Sequence, residues 1–312
     1  MKNKKILITG GYGFVGVNLV RYILDKTNWE IWILDNLKSG KKEYLKDVSS
    51  HRINFIKGDI RNIDDIKKTI VDCNFVVNLA AQVGVIPSIE DPFFDMDVNI
   101  NGTVNLLYLS KENGVEKFIQ ASSAAPLGEQ KMPLNENKIP KPLSPYGASK
   151  LAGEGYCSAF SESFDLKTVV LRFSNVYGPY SKHKNSVIPL FIRQIMNGET
   201  LTIYGDGNQT RDFVYVTDIC QGILLSLKEK LTDNFNMFQL GTGKEISIDH
   251  LLYILRDIFK NKKITIYHTK KRKGEIRKNY TEINRASKLI SYKPRISFED
   301  GLRYTIDWFN RI

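Results

Sequence analysis

Short apolar runs alternate with amphipathic stretches through the first half of this 312-residue chain, and that rhythm limits its fold more than any other feature. Strand-like runs read Lys5–Thr9, Glu30–Leu34, Asn54–Lys57, Phe75–Leu79, Lys117–Ala121 and Thr168–Phe173. Helical patterns fall between them at Phe14–Leu24, Ile63–Val71, Phe93–Glu112 and Tyr146–Ser161. Such alternation predicts an α/β fold, a doubly wound parallel sheet covered on both faces. Near-continuous Val, Ile and Leu in the strands fits burial on both sides. After Asn175 the rhythm loosens. Short strands (Leu201–Tyr204, Phe213–Val216, Asn236–Leu240, Ile264–His268) mix with helices near Val187–Met196, Thr217–Leu227, Ile248–Phe259 and Phe298–Phe309. They predict a smaller C-terminal α/β lobe at the carboxyl ends of the strands. The expected division is a nucleotide-binding domain over residues 1–175 and a substrate-binding lobe over 176–312, with a soft boundary that the chain can recross.

Hydrophobic residues make up 42% of the chain and aromatics 11%, enough for a substantial core. No run approaches the roughly 18 apolar residues of a membrane helix, so no membrane partner is expected. Met1-Lys2-Asn3-Lys4-Lys5 leads straight into Ile6-Leu7-Ile8 without the apolar region of a secretory signal. Cys73, Cys157 and Cys220 are scattered and odd in number. They fit reduced, buried thiols of a cytoplasmic protein, and no metal site is expected. The net charge of +11 admits nucleic-acid binding. Lysines spread over solvated faces account for it more simply, so no nucleic-acid partner is expected. A third reading is local, with basic residues near the substrate lobe attracting an anionic substrate.

Thr9-Gly10-Gly11-Tyr12-Gly13-Phe14-Val15-Gly16 follows a strand and opens a helix. Gly10, Gly13 and Gly16 take the places of a Rossmann-type dinucleotide fingerprint: a tight turn, close backbone approach to a pyrophosphate, and helix–strand packing. The helix start at Phe14 and Val15 then favours phosphate charge. Asp35 ends the second strand, roughly 20 residues on, where an acid accepts from a ribose 2′-hydroxyl and repels a 2′-phosphate. This argues for NAD over NADP, although Lys38, Lys41 and Lys42 follow closely. Asp59 ends the third strand and is placed to meet the adenine amino group, with Asn36 and Ile60 as neighbours in the cofactor set. Leu79, Ala80 and Ala81 end the fourth strand, small enough for backbone to lie against a cofactor, and Gln82 follows on the substrate side. Asn99 reads either as a buried structural residue or as one that orders the cofactor site.

Tyr146 and Lys150 stand four apart and share one helical face. A free Tyr titrates near pH ~10. An adjacent ammonium, with an oxidised nicotinamide ring, is expected to lower it so that the phenol can exchange a proton with a substrate hydroxyl.

These residues resemble the extended short-chain dehydrogenase/reductases, in particular the NAD-dependent nucleotide-sugar epimerase/dehydratase group. The resemblance rests on Thr9–Gly16, Asp35-Asn36, Gly58-Asp59, Leu79–Gln82, Asp97-Val98-Asn99 with Gly102-Thr103, Ser122-Ser123, Tyr146–Lys150, Arg172 through Pro179, and Tyr204 through Val216. It implies that Ser123 hydrogen-bonds the reacting oxygen, that Tyr146 is the acid/base, and that Lys150 binds the nicotinamide ribose and tunes the Tyr. It implies further that Asn175, Arg211 and Arg272 contact the substrate diphosphate or ribose and that Tyr204 packs a nucleobase. Bidentate arginine suits a diphosphate. A homodimer through helices 93–112 and 146–161 is also implied. The chain departs from the group's pattern at Pro126-Leu127-Gly128, where Val-Tyr-Gly is usual, at Asn78 in place of a common His, and in the basic His183-Lys184-Asn185-Ser186.

Nucleotide-sugar 4,6-dehydratases resemble this scaffold but carry Asp-Glu beside the active-site Ser/Thr. Here Ser123 is followed by Ala124-Ala125, which cannot transfer protons. The resemblance then implies oxidation of a sugar at C4, rotation of the 4-keto sugar, and return of hydride to the other face. A UDP-glucose 4-epimerase-like activity leads. Asn279, placed where the group limits bulk near the sugar C2, keeps UDP-N-acetylglucosamine open, with UDP-glucuronate a further alternative. A nucleotide-sugar reductase and a non-enzymatic NAD- or RNA-binding relative are the rival classes.

Overall fold

A computed structural model of the chain describes residues 4–48, 51–270 and 277–311. Its main sheet takes Lys5–Thr9 (β1), Glu30–Asp35 (β2), Ile53–Lys57 (β3), Phe75–Asn78 (β4), Lys117–Ser123 (β5) and Thr168–Phe173 (β6). Between them lie Phe14–Lys26 (α1), Ile63–Ile70 (α2), Val85–Glu90 (α3), Pro92–Met96 (α4), Gly102–Glu112 (α5) and Pro145–Phe164 (α6). Pairing is parallel throughout. Strand alternation divides the core: Ile6 and Ile8 face one helical layer, while Leu7 faces the other. The first layer contains α1, and the second α2, α5 and α6.

Asn175–Tyr177 (β7), Leu201–Tyr204 (β8), Thr210–Arg211 (β9) and Phe213–Tyr215 (β10) build the smaller lobe, together with Ile246–Ser247 (β12) and Ile266–Thr269 (β13). They form three two-stranded ribbons. A separate apolar core lies under Val187–Asn197 (α7), Ile248–Ile258 (α9) and Phe298–Asn310 (α11). Before that lobe is complete the chain returns to the large sheet. Val216–Lys228 (α8) lays Val216, Ile219, Cys220 and Ile223 in the α1 layer, and Phe235–Leu240 (β11) pairs with all of β6. The run Asn236–Leu240, expected in the C-terminal lobe, is therefore the edge of the main sheet. Asn284–Ile290 (α10) packs beside it and has too short a periodic pattern to stand out in the sequence.

The strand order β11-β6-β5-β4-β1-β2-β3 reverses between β1 and β4. Ligands of open α/β sheets sit outside the carboxyl ends of the strands at such a point. The turns after β1 and β4 carry Gly10–Gly13 and Leu79–Gln82, so the topology brings these two segments to one crevice.

One expected helix is subdivided. Instead of running from Phe93 to Glu112, the segment comprises α4, a π turn over Asp97–Asn101, and α5. Asp91 caps α4 by accepting from Phe94 N, with Pro92 at its first turn. The π turn keeps the chain helical and so leaves the apolar rhythm intact. Its consequence is that Asn99 points inward.

A buried ion pair fastens α6 to the sheet. Arg172 Nε and Nη2 donate to the two carboxylate oxygens of Glu154 at 2.8 and 2.6 Å, and both residues are buried. Glu154→Ala leaves a buried guanidinium unpaired and is expected to cost about 3–5 kcal/mol in urea unfolding. Loss of the exposed Lys4–Glu116 pair should cost under about 1 kcal/mol. Equal costs would show that burial does not set the strength of the Glu154 contact.

Candidate active site

The start of α6 sets the reacting pair. Ser144 caps it by accepting from Gly147 N at 3.2 Å, and Pro145 occupies its first position. A Cβ on Gly147 would lie 2.7 Å from the Ala125 carbonyl oxygen, so only glycine lets the helix start this close to the turn after β5. Tyr146 thereby meets Ser123, whose side chain hydrogen-bonds the phenol. Lys150 lies one turn on, its Nζ 5.9 Å from the Tyr146 ring centroid and 3.1 Å from the Ala121 carbonyl oxygen that accepts from it.

Burial dominates both titrations. It pushes the Tyr146 phenol up, against the Ser123 hydrogen bond, and the Asp95 charge adds to the rise. It pushes Lys150 down to about 8, against the opposing Asp95 and Glu154 carboxylates. The expectation of a lowered phenol is thus not met by the chain's own groups. Desolvation outweighs the Ser123 hydrogen bond, and a positive charge against Tyr146 is needed to reverse it. An oxidised nicotinamide fits that need.

The glycine turn has the form its spacing implies. Gly10 adopts φ 67°, and a Cβ there would fall 2.9 Å from Ala80 N, the neighbouring wall of the crevice. A Cβ on Gly16 would fall 2.1 Å from the Gly10 carbonyl oxygen. Gly13, the cap of α1, supplies no side-chain partner, and the first turn of α1 has no acid, so its amides are left for an anion. Asp35 closes the turn by accepting from Tyr12 N at 2.9 Å and Leu37 N at 2.8 Å. Burial pushes its carboxyl up, against these two hydrogen bonds. The three following lysines do not pair with it. The ammonium of Lys38 lies over Phe94, that of Lys42 over Phe55 and that of Lys41 over Tyr44.

At the far end of the turn, Asn36 donates to Asp59 at 3.0 Å, and Arg61 pairs with Asp59 at 3.0 Å. Burial disfavours the Asp59 charge, but these bonds outweigh it and hold the carboxyl down to about 2. Ile60 is buried beneath α5, where a Cβ on Gly102 would strike it at 2.5 Å. Asn99 is consumed within the protein. Its amide group bonds both the N–H and the carbonyl of Gln82 (2.9 and 3.0 Å), Asp95 (3.0 Å) and Ser149 (3.1 Å). It ties the turn after β4 to the helix of Tyr146. That geometry fits the ordering role among its two readings.

A cavity of about 700 Å³ runs from Phe14 and Val15, past Leu79 and Ala81, to Ser123, Tyr146 and Lys150, and on to Asn175, Tyr204 and Arg211. The two halves of the predicted site therefore face one space. Backbone bonds set its outer wall: Asn175 N donates to Asp212 O at 2.9 Å, and Asp212 N to Asn279 O at 2.8 Å. Asn175, Arg211 and Asn279 thus lie on neighbouring or adjoining positions of three chain passes. The Asn279 side-chain oxygen is buried without a protein partner. Arg272 lies outside the described residues. Asp212, not singled out in the sequence, anchors this wall by accepting from Thr242 and Thr281 at 2.6 and 2.8 Å. Lys184, Asn185 and Ser186 also line the cavity. Their departure from the group's pattern was the only sequence signal for them. Pro126 and Leu127 are buried beneath the 124–128 turn, and Asn78 is buried among Thr9, Thr103 and Gln120.

Residues 6–241 match the NAD dependent epimerase/dehydratase family. The chain belongs to that family. It is 34% identical over 313 residues, covering 97% of this chain and 95% of the relative, to a UDP-glucuronate 4-epimerase of Thermodesulfobacterium geofontis. Among solved structures, a UDP-N-acetylglucosamine 4-epimerase from Methanobrevibacter ruminantium superposes with TM-score 0.92 at 35% identity, covering 100% of this chain and 99% of that one. A UDP-glucuronic acid 4-epimerase from Bacillus cereus, in complex with UDP-glucuronic acid and NAD, gives TM-score 0.91 at 31% identity, covering 98% and 99%. The seven-stranded sheet and its helical layers are the fold these epimerases share.

For this family member, Gly16→Ala should collapse the glycine turn and cost about 3 kcal/mol in urea unfolding, with loss of dinucleotide binding. Gly13→Ala meets only the Gly10 oxygen at 3.2 Å and should fold but bind the dinucleotide more weakly. An unaltered titration for either variant would refute the phosphate-cradle geometry.

Proposed function

We propose that the protein interconverts a UDP-hexose and its C4 epimer, with NAD as a bound cofactor that is regenerated in each turnover. The observation that carries this reading is a cavity lined both by Ser123, Tyr146 and Lys150 and by Asn175, Tyr204 and Arg211. NAD held by Gly10, Gly13, Phe14, Val15, Asp35 and the 79–81 turn supplies the hydride acceptor and donor. The chain handles the proton. Tyr146 accepts it from the sugar O4 and returns it, Ser123 orients that oxygen, and Lys150 brings positive charge to the phenol. Ala124 and Ala125, beside Ser123, offer no group for proton transfer at C5 or C6, which is why elimination of water is not the proposed reaction. Arg211 and Asn175 hold the diphosphate, and Tyr204 the base. Binding energy from the nucleotide lets the sugar turn between its two faces without leaving.

A second sugar is favoured by one observation. Asn279 is shorter than an aromatic side chain, and its buried Oδ1 has no protein partner. UDP-N-acetylglucosamine, which needs room near the sugar C2, is the second candidate. A panel of UDP-glucose, UDP-N-acetylglucosamine and UDP-glucuronate followed by NMR should show inversion at C4, with a 4-deuterium label kept at C4 in both epimers. Label washout, loss of water, or net consumption of reduced cofactor would each overturn the epimerase reading. Tyr146→Phe should lower turnover about 10²- to 10⁴-fold and leave UDP binding intact.

Cofactor choice follows from Asp35. NAD should bind more tightly than NADP in calorimetry, and Asp35→Ala should narrow the gap. Equal affinities in the wild type would remove the assigned role of that carboxylate.

The protein also fits a cytoplasmic homodimer. Phe93, Met96, Tyr108, Tyr156 and Phe164 leave large apolar surface exposed on α4, α5 and α6, where a second copy would cover it. Sedimentation should give a dimer at micromolar concentration, and Tyr108→Glu with Tyr156→Glu a monomer. A monomeric wild type would sink this assembly.

A further inference from the structure

Among the described residues, buried Lys117 and Lys150 are given partners, and half-buried Lys184 at the cavity wall is not. Burial lowers the basicity of Lys117, Lys150 and Lys184. Lys117 donates to the carbonyls of Ser226, Leu227 and Glu229 at the end of α8. Lys150 donates to Ala121 O, and the Asp95 and Glu154 carboxylates oppose its loss of charge. Lys184 has neither kind of support. Among the described residues its ammonium is placed over the Phe14 ring, 5.4 Å from the centroid, and no carboxylate offsets its burial. Two other cations, Lys41 and Arg193, act together with Lys184 on the neighbouring His183 ring.

The turn that presents Lys184 is built rather than loose. Gly178 and Tyr180 adopt φ 149° and 67°, and Asn18 on α1 donates to Pro179 O at 3.1 Å. The Tyr180 ring packs against Trp308 at 4.8 Å and Tyr44 at 5.1 Å. Arg193 on α7 donates to the carbonyls of Lys182 and Lys184 and to Asn185 Oδ1. Three fixed bonds thus aim the Lys184 stem into the cavity that it lines. Phe14 and Val15, the first two residues of α1, line the same cavity as Lys184, and that helix start carries no side-chain cap.

A cation held partly out of water with no counter-charge is costly unless an anion completes it. Amides and ammonium facing one space are the donors that a diphosphate needs. We infer that Lys184 is a diphosphate-binding residue, presented at the cavity wall by the turn that Arg193 clamps. The inference rests on the nucleotide-sugar reading of the cavity. The diphosphate is that of the dinucleotide or that of the nucleotide sugar, and separate titrations distinguish them.

The test uses full-length protein freed of copurified nucleotide, with NAD alone and UDP alone titrated calorimetrically into wild type, Lys184→Gln and Lys184→Arg. Lys184→Gln should weaken one of the two ligands by about tenfold or more, the loss expected for one charge-assisted bond. Lys184→Arg should retain most of the affinity. A loss confined to NAD assigns the contact to the pyrophosphate, and one confined to UDP assigns it to the substrate. Without ligand, Lys184→Gln should melt no lower than wild type, since it removes an uncompensated charge. Wild-type affinity of Lys184→Gln for both ligands would overturn the inference while leaving the function intact. Failure of the wild type itself to bind either ligand would overturn both.

Discussion

The chemistry of this cavity depends on the height at which α6 rests on the sheet, and one carboxylate fixes it. Glu154 lies one turn beyond Lys150 and two beyond Tyr146. Besides both Arg172 nitrogens it accepts from Ser122 Oγ at 2.6 Å. Ser122 precedes Ser123 on β5, and Arg172 pairs with Ser122 from β6. The helix of the phenol and the strand of its hydrogen-bond partner are therefore tied to the same buried group. A slip of one residue along α6 would turn Tyr146 by about 100° away from Ser123. Such a pair is weak evidence for stability as such, because desolvating two charges is costly. Its value here is geometric, and it holds register where ordinary apolar packing tolerates sliding.

The same burial that secures register works against the reactive charges. Tyr146 is pushed up and Lys150 down, each away from the ionised form. Asp95 raises both titrations: it helps Lys150 keep its proton and makes the Tyr146 phenolate harder to form. Asp95 is itself held by Asn99 at 3.0 Å, and Asn99 also clamps Gln82. The turn after β4, the π turn and the catalytic helix are thus one electrostatic unit. A positive ring entering beside the phenol acts on a site already set to respond to it.

Much of this was legible in the sequence because it is local. The strand–glycine–helix spacing of Thr9–Gly16, the acid at Asp35 and the shared face of Tyr146 and Lys150 each depend on a few adjacent residues, and the α/β rhythm gave the large sheet. What escaped depends on long-range geometry. The run Asn236–Leu240 looks like any short apolar strand, and only α8 packing in the α1 layer returns it to β6. The π turn at Asp97–Asn101 leaves helical periodicity untouched, so no pattern marks it. Asp212 shows its role only when Thr242 and Thr281 arrive from distant segments. Local spacing also placed Lys150 beside Tyr146 without revealing that burial pushes both away from their charged forms.

The net charge of +11 illustrates why composition alone stops short of function. Chemically identical side chains divide by what stands opposite them. Lys5, Lys38 and Lys42 lay their ammonium groups over aromatic rings at partly or fully exposed positions. Lys117 caps a helix end, where the carbonyls of α8 already carry partial negative charge. Lys150 is balanced by acids beneath it. A lysine left unbalanced at a cavity wall differs from all of these, because its counter-charge must come from what enters the cavity. The long-range field of the remaining lysines is screened within about 8 Å at physiological salt, so recognition of an anionic ligand falls to the few cations that the fold holds inside.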